Sequence, residues 1–83
     1  MTDQELRDAA LEVLGRIAPE ADLETLDPKE DLRDQLDIDS LDVLRFATGL
    51  AEATGVEVPE RDYPRIVTLE GCIAYLSAAL AAA

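Results

Sequence analysis

One cysteine and no histidine in 83 residues leave this chain without a covalent or metallic staple. A lone thiol cannot close an internal disulfide. Without imidazole, neither a zinc site nor a thiolate–imidazole pair is within reach. A domain this small buries only about 60% of the surface its unfolded chain exposes. Its order must come from packed apolar helix faces, with little volume left for a deep substrate pocket. Apolar residues make up 48% of the chain, enough for such a core, so a formal charge of −12 does not mark it as disordered. The missing histidine also removes the commonest general base at neutral pH, which favours a binding or carrier role over catalysis.

Hydrophobic spacing gives three main helices. Thr2 and Glu5 have capping-box spacing, and Leu6, Ala10, Val13 and Ile17 follow on one face, predicting a helix over 3–17 that stops before Pro19. A second helix is predicted over 40–54, with Asp39 as N-cap, Asp42 in the first turn and Gly55 closing it. Its inward face holds Val43, Ala47, Leu50 and Thr54, flanked by Leu44, Phe46 and Ala51. Val56 to Pro59 reads as extended, and 60–66 has room for one helical turn that Pro64 limits. Thr68 can cap a last helix from Leu69 to about Leu80, with Leu69, Cys72, Ile73, Leu76 and Leu80 facing inward. The Ala-rich tail is expected to fray. There is no internal repeat and no strand of convincing length. The expected fold is all-α, a single domain over 1–83 with three main helices and one short one.

Residues 18–39 read as one long, irregular, acidic loop. From Glu20 to Asp42, ten carboxylates face only Lys29 and Arg33, a net −8. So long a connection is unusual in a compact domain, and Leu23, Leu26, Leu32 and Leu36 are expected to pin it to the core. The overall charge argues against nucleic acid and anionic membranes and favours basic protein partners. Tyr63 and Tyr75 are too few for a base-stacking surface. No apolar run approaches the roughly 18 residues of a membrane span. The N-terminus lacks a basic region followed by an apolar stretch, so no secretory signal is read. A cytoplasmic monomer is the expectation.

The segment that carries chemistry is Asp37-Ile38-Asp39-Ser40-Leu41-Asp42. Ser40 sits where the acidic loop meets a helix start. No base is at hand to deprotonate it, so it is a poor nucleophile in its own right and better suited to modification by another enzyme. A plain helix start explains Ser and Asp here equally well, and the bare Asp-Ser-Leu tripeptide arises by chance in roughly a few per cent of chains this long. Leu41 falls opposite the inward face, near Arg45 and Glu52. A lone exposed leucine is ordinary, but beside a modifiable serine it is a candidate docking contact. A calcium-loop reading of Asp37 and Asp39 fails at Leu41, Asp42 and Thr48, so no specific metal site is expected. Cys72 is read as a core residue.

With these motifs in order, the chain resembles the acyl carrier proteins over nearly its whole length. The resemblance rests on Asp39-Ser40-Leu41-Asp42 running into Val43-Leu44, on Gly55-Val56-Glu57-Val58-Pro59-Glu60, and on Ile66-Val67-Thr68-Leu69 with the apolar helix through Tyr75-Leu76. Upstream, Asp31-Leu32-Arg33-Asp34-Gln35-Leu36 also matches. The resemblance implies a four-helix bundle that is not an enzyme. It implies that Ser40 takes 4′-phosphopantetheine from coenzyme A by way of a phosphopantetheinyl transferase, and that Asp39 matches the aspartate associated with that enzyme's magnesium. It implies that Leu41 and the exposed side of the second helix, with Asp42, Arg45 and Glu52, meet acyl-loading and acyl-processing enzymes.

Three positions depart from the family pattern. Asp37 stands where many relatives have glycine. Arg45 and Ala51 stand where fatty-acid-type carriers usually have acids. These departures favour a dedicated partner set, in fatty-acid synthesis or a specialised acyl or polyketide-type pathway. Asp39 favours an acyl carrier over a peptidyl carrier, although a carrier for an amino acid stays open. The length suggests a free-standing carrier, and a domain excised from a larger protein would look similar. The alternative from another class is an unmodified acidic helical adaptor for a basic partner, which would have no need of Ser40.

Overall fold

Thr2 and Glu5 cap each other as their spacing predicts. The Thr2 N–H donates to the Glu5 carboxylate at 2.8 Å and the Glu5 N–H donates to the Thr2 hydroxyl at 3.2 Å. The bond from the Thr2 N–H, joined by the threonine hydroxyl, holds the Glu5 carboxyl below its ordinary pKa. This cap begins α1, Asp3–Ile17. The structure, a computed structural model, describes residues 1–82. Three more α-helices follow: α2 (Leu32–Leu36), α3 (Ser40–Thr54) and α4 (Leu69–Ala82). Tight 3₁₀ turns occupy Leu23–Thr25 and Glu60–Arg65. The fold is all-α, with no strand among the described residues, and no described helix is long and apolar enough to cross a membrane.

The core joins Leu6, Ala10 and Leu14 of α1 to Phe46 and Leu50 of α3 and to Leu69, Cys72 and Leu76 of α4. α1 packs against both other long helices, while the 60–65 turn bridges α3 and α4. The helices α1 and α3 pack tightly at Gly49, which is buried. A Cβ there would lie 2.5 Å from Val13 Cγ1. Gly55 ends α3 in the left-handed conformation, at φ 77, as a helix-closing glycine should.

Several sequence expectations need correction. The 18–39 stretch is not uniformly irregular: it contains the Leu23–Thr25 turn and all of α2. Five-residue helices show too little periodicity to read, and this one is set by its caps. Asp31 accepts the Arg33 N–H at 2.8 Å to start it. Of the four loop leucines, Leu26 and Leu32 are buried, while Leu23 and Leu36 are only half-buried. Much of the remaining order comes from Gln35, whose amide accepts the Asp27 N–H and donates to the Asp27 and Glu30 carbonyls. Backbone bonds from Leu32 to Val67 and from Glu70 to Pro28 tie the segment to the start of α4. Leu14 is fully buried although the three-residue step from Ala10 to Val13 passes over it, and Ile17 is only half-buried. Leu44 is not beside the core but 47% exposed. Thr68 caps α4 through its hydroxyl, which accepts the Gly71 N–H at 3.0 Å. The helix then continues to Ala82, two residues beyond the expected end.

Two outcomes follow from this packing. Gly49→Ala gains about 1 kcal/mol of helix propensity. It also drives a methyl group into a β-branched side chain with one strongly preferred rotamer, and overpacking of this kind costs about 1–3 kcal/mol. Thermal unfolding should show a net loss of stability that disappears in a Val13→Ala background; a gain in the parent background would contradict the contact. Burial pushes the Cys72 thiol up to about 12 from an ordinary 9.0. Because the folded value is raised, the neutral thiol's contribution is intact below pH 9 and is lost as pH climbs from there towards 12. At pH 8, a thiol-specific disulfide reagent should label the native chain only as fast as it opens, and urea should accelerate that labelling steeply. Prompt labelling without urea would refute the buried thiol.

Candidate functional site

The site is built where α2 turns into α3. Asp37 ends α2 at φ 53, ψ 49, a left-handed conformation that most side chains resist and Asp tolerates better than most. The Ile38 N–H reaches back to the Arg33 carbonyl at 3.1 Å, closing the turn. Two residues on, Asp39 is extended and caps α3: its carboxylate accepts the Asp42 N–H at 3.0 Å. Asp42 returns the bond by accepting the Asp39 N–H at 3.3 Å. Its other carboxylate oxygen accepts from Arg45 Nη1 at 3.0 Å.

Ser40 is therefore the first residue of α3, and it is exposed. Among the described residues, nothing hydrogen-bonds its hydroxyl. The Ser40 and Leu41 N–H groups are likewise without an internal partner, as expected of donors in a first helical turn. The structure thus offers a free hydroxyl beside two free donors at the positive end of a helix dipole. A phosphate diester fits that environment without displacing any protein contact. No base stands by to make Ser40 act alone.

The predicted partner residues divide. Leu41 is 59% exposed and lies on one face of α3 with Leu44, Arg45, Thr48 and Glu52, the face opposite Val43, Phe46 and Leu50. Asp42 is largely occupied: capping, pairing with Arg45 and partial burial leave little of it for another protein. Arg45 keeps 68% of its side chain exposed, and Glu52 is exposed. Sequence reasoning missed Leu44 and Arg16. Leu44 sits three residues after Leu41, a spacing that would have placed it on the outward stripe. Arg16 comes from α1 and shares an open groove of about 590 Å³ with Leu44, Arg45 and Glu52. That neighbourhood is tertiary and has no local signal.

The fold is a small helical bundle whose exposed Ser40 has no base beside it, an arrangement suited to a carrier. Comparison with known families agrees. A family model described as a phosphopantetheine attachment site matches residues 4–76. Similar proteins include the acyl carrier protein of Streptomyces coelicolor, 28% identical over 96% of this chain and 87% of that one. The acyl carrier protein of Syntrophobacter fumaroxidans is 38% identical over 68% of this chain and 69% of its own length. That of Rubrobacter xylanophilus is 35% identical over 59% of this chain and 60% of its own. The chain belongs to the acyl carrier protein family, whose members are carriers rather than enzymes and whose cofactor is 4′-phosphopantetheine.

The left-handed residue gives a direct check. Asp37→Gly removes a conformation that costs ordinary side chains roughly 1–2 kcal/mol and Asp less. It should raise the melting temperature by a few degrees, at about 4–8 °C per kcal/mol for a domain this size. Asp37→Val, β-branched at the same φ, should lower it. Equal melting temperatures for all three proteins would show that the turn is not held at positive φ.

Proposed function

We propose that Ser40 bears 4′-phosphopantetheine in a phosphodiester, and that this chain holds acyl groups and presents them to successive enzymes. The terminal thiol of the arm supplies the thioester. The observation that carries the reading is the free, exposed Ser40 hydroxyl at the first position of α3, within Asp39-Ser40-Leu41-Asp42. Attachment forms a bond between Ser40 Oγ and the phosphorus of the phosphopantetheinyl group and releases the nucleotide half of coenzyme A. The hydroxyl proton must pass to a base on the transferase, because this chain supplies none. Asp39 commits one carboxylate oxygen to the cap. Its other oxygen has no hydrogen bond among the described residues and is available to a magnesium ion held in the transferase complex.

The chain's own part is positional. The capping box fixes the direction in which Ser40 leaves the bundle, while Leu41 and Leu44 offer apolar contact beside it. Arg45 tempers the acidity of the recognition face, which supports a dedicated partner set, in fatty-acid synthesis or a specialised acyl or polyketide-type pathway. Weak, fast-exchanging contacts suit a shuttle between enzymes.

Intact mass after incubation with coenzyme A, magnesium and a broad-specificity phosphopantetheinyl transferase should rise by one phosphopantetheinyl group. Ser40→Ala should show no gain. Its melting temperature should stay close to that of the parent, because the cap resides in Asp39 and not in Ser40. A folded parent that gains nothing, beside a control carrier modified in parallel, would refute the reading and leave the unmodified adaptor.

A further inference from the structure

The 60–65 turn is held very differently by its two neighbours. Towards α3 it presents half-buried Tyr63, which with Val58 faces the small side chains of Ala47 and Ala51 across an open cleft of about 300 Å³. Among the described residues, no hydrogen bond joins the turn to α3. Towards α4 it is gripped three times. The Tyr75 hydroxyl donates to Asp62 at 2.8 Å, and the Arg65 guanidinium lies 4.7 Å from the centre of the Tyr75 ring. The third contact is backbone: Gly71, in the first turn of α4, leaves room for the Arg65 carbonyl, and a Cβ there would lie 2.6 Å from that oxygen.

One side chain of α4 thus holds both ends of the turn. Residues three apart eclipse each other in a 3₁₀ turn, so Asp62 and Arg65 face the same way and Tyr75 can meet both. The hydroxyl binds a carboxylate, and the ring face attracts a guanidinium. The bond spans 13 residues, whereas the other side-chain pairs that hydrogen-bond among the described residues lie within four residues of each other. Little else secures the turn, which has no buried residue and carries Pro64 inside it. α4 is fixed in its place by Leu69, Cys72 and Leu76 in the core. A turn strapped to α4 therefore cannot leave α3 until the strap lets go.

We propose that Tyr75 is a latch: by holding Asp62 and Arg65 it keeps the 60–65 turn on α4 and closes the seam between that turn and α3. The latch acts apart from the tight α1–α3 contact, since Gly49 and Ala47 point to opposite sides of α3. It belongs to the bare chain and does not depend on the carrier reading.

Native-state hydrogen exchange of the full chain, resolved by NMR, tests this. The reporter is the Ile66 amide, which donates to the Tyr63 carbonyl at 3.0 Å and belongs to a fully buried residue. At low urea it should exchange by local opening, with little dependence on urea. Tyr75→Phe keeps the ring and removes only the hydroxyl, and circular dichroism should show an intact fold. In that low-urea regime it should speed Ile66 exchange about tenfold, the change expected of one hydrogen bond to a carboxylate. Asp62→Ala should do the same, and the double variant should be no faster than either, because both remove one bond. The bond to Asp62 holds the Tyr75 phenol above its ordinary pKa, so Asp62→Ala should let that ring ionise at lower pH in a ¹³C-detected titration. An Ile66 rate that Tyr75→Phe leaves unchanged would mean that the turn opens with the strap intact, and would overturn the proposal. So would accelerations that add in the double variant, or Ile66 exchange that follows urea as steeply as the core.

Discussion

Asp39 and Asp42 hold each other's backbone N–H groups, and this reciprocal cap determines where α3 starts. A side-chain cap is worth about 1 kcal/mol, modest in size, but it sets a register. With Asp39 fixed as the N-cap, Val43, Phe46, Ala47 and Leu50 fall towards the core and Leu41, Leu44, Arg45 and Thr48 fall away from it. A shift of one residue would rotate the helix by about 100° and exchange much of one set for the other. Ser40 owes its exposure to the same register, since it precedes the first buried residue and needs no bond of its own. Asp37 contributes from the other side: its left-handed backbone ends α2 and frees the chain to enter the cap. The site is thus a consequence of backbone geometry imposed by three aspartates, and its hydroxyl is left without an internal bond.

Charge is distributed unevenly between the acidic segment and the outward face of α3. The run from Glu20 to Asp42 holds −8 of the total −12, and it ends in the first turn of the helix that carries the outward leucines. A basic patch on another protein would be attracted to that segment over a range of about 8 Å at physiological ionic strength. On α3 the Asp42–Arg45 pair is internally neutral. An exposed pair of this kind adds little stability. Its consequence is selective: it removes one anion from the face that a strongly basic partner would read and leaves part of a guanidinium in its place.

The long helices were legible in the sequence because each repeats the helical period several times between clear caps. Thr2, Asp39, Gly55 and Thr68 mark boundaries that the structure keeps. Ser40 stands out in the sequence for a different reason: a serine without a base, within an ordered series of motifs, is suited to modification by another enzyme, and the structure leaves it exposed at the start of α3. What could not be read was tertiary. α2 is too short for a period, and the bonds from Gln35 that order its approach span eight residues. Gly49 reads as a weak point in a helix until Val13 is placed against it. Leu44 was assigned to the wrong side because an apolar residue flanking an apolar stripe is read as core by default. The arginine neighbourhood of Arg16 and Arg45 needs two helices in register before it exists at all.

The walls of the bundle are unequal, and the inequality has a structural origin. At the α1–α3 contact, Gly49 and Val13 interlock so closely that the helices cannot approach further, and the residues around them are buried. The 60–65 wall is a 3₁₀ turn with Pro64 inside it and no buried residue of its own. Such turns have poorer hydrogen-bond geometry than α-helices. This one is clasped to α4 from the surface: the Tyr75 hydroxyl donates to Asp62 at 2.8 Å, and the Arg65 guanidinium lies 4.7 Å from the Tyr75 ring centre. The bond to Asp62 also holds the Tyr75 phenol above its ordinary pKa. Local opening follows the fewest buried contacts, so the 60–65 turn should open more readily than the α1–α3 contact. The outward face of α3 is therefore backed by the more closely packed of the two walls.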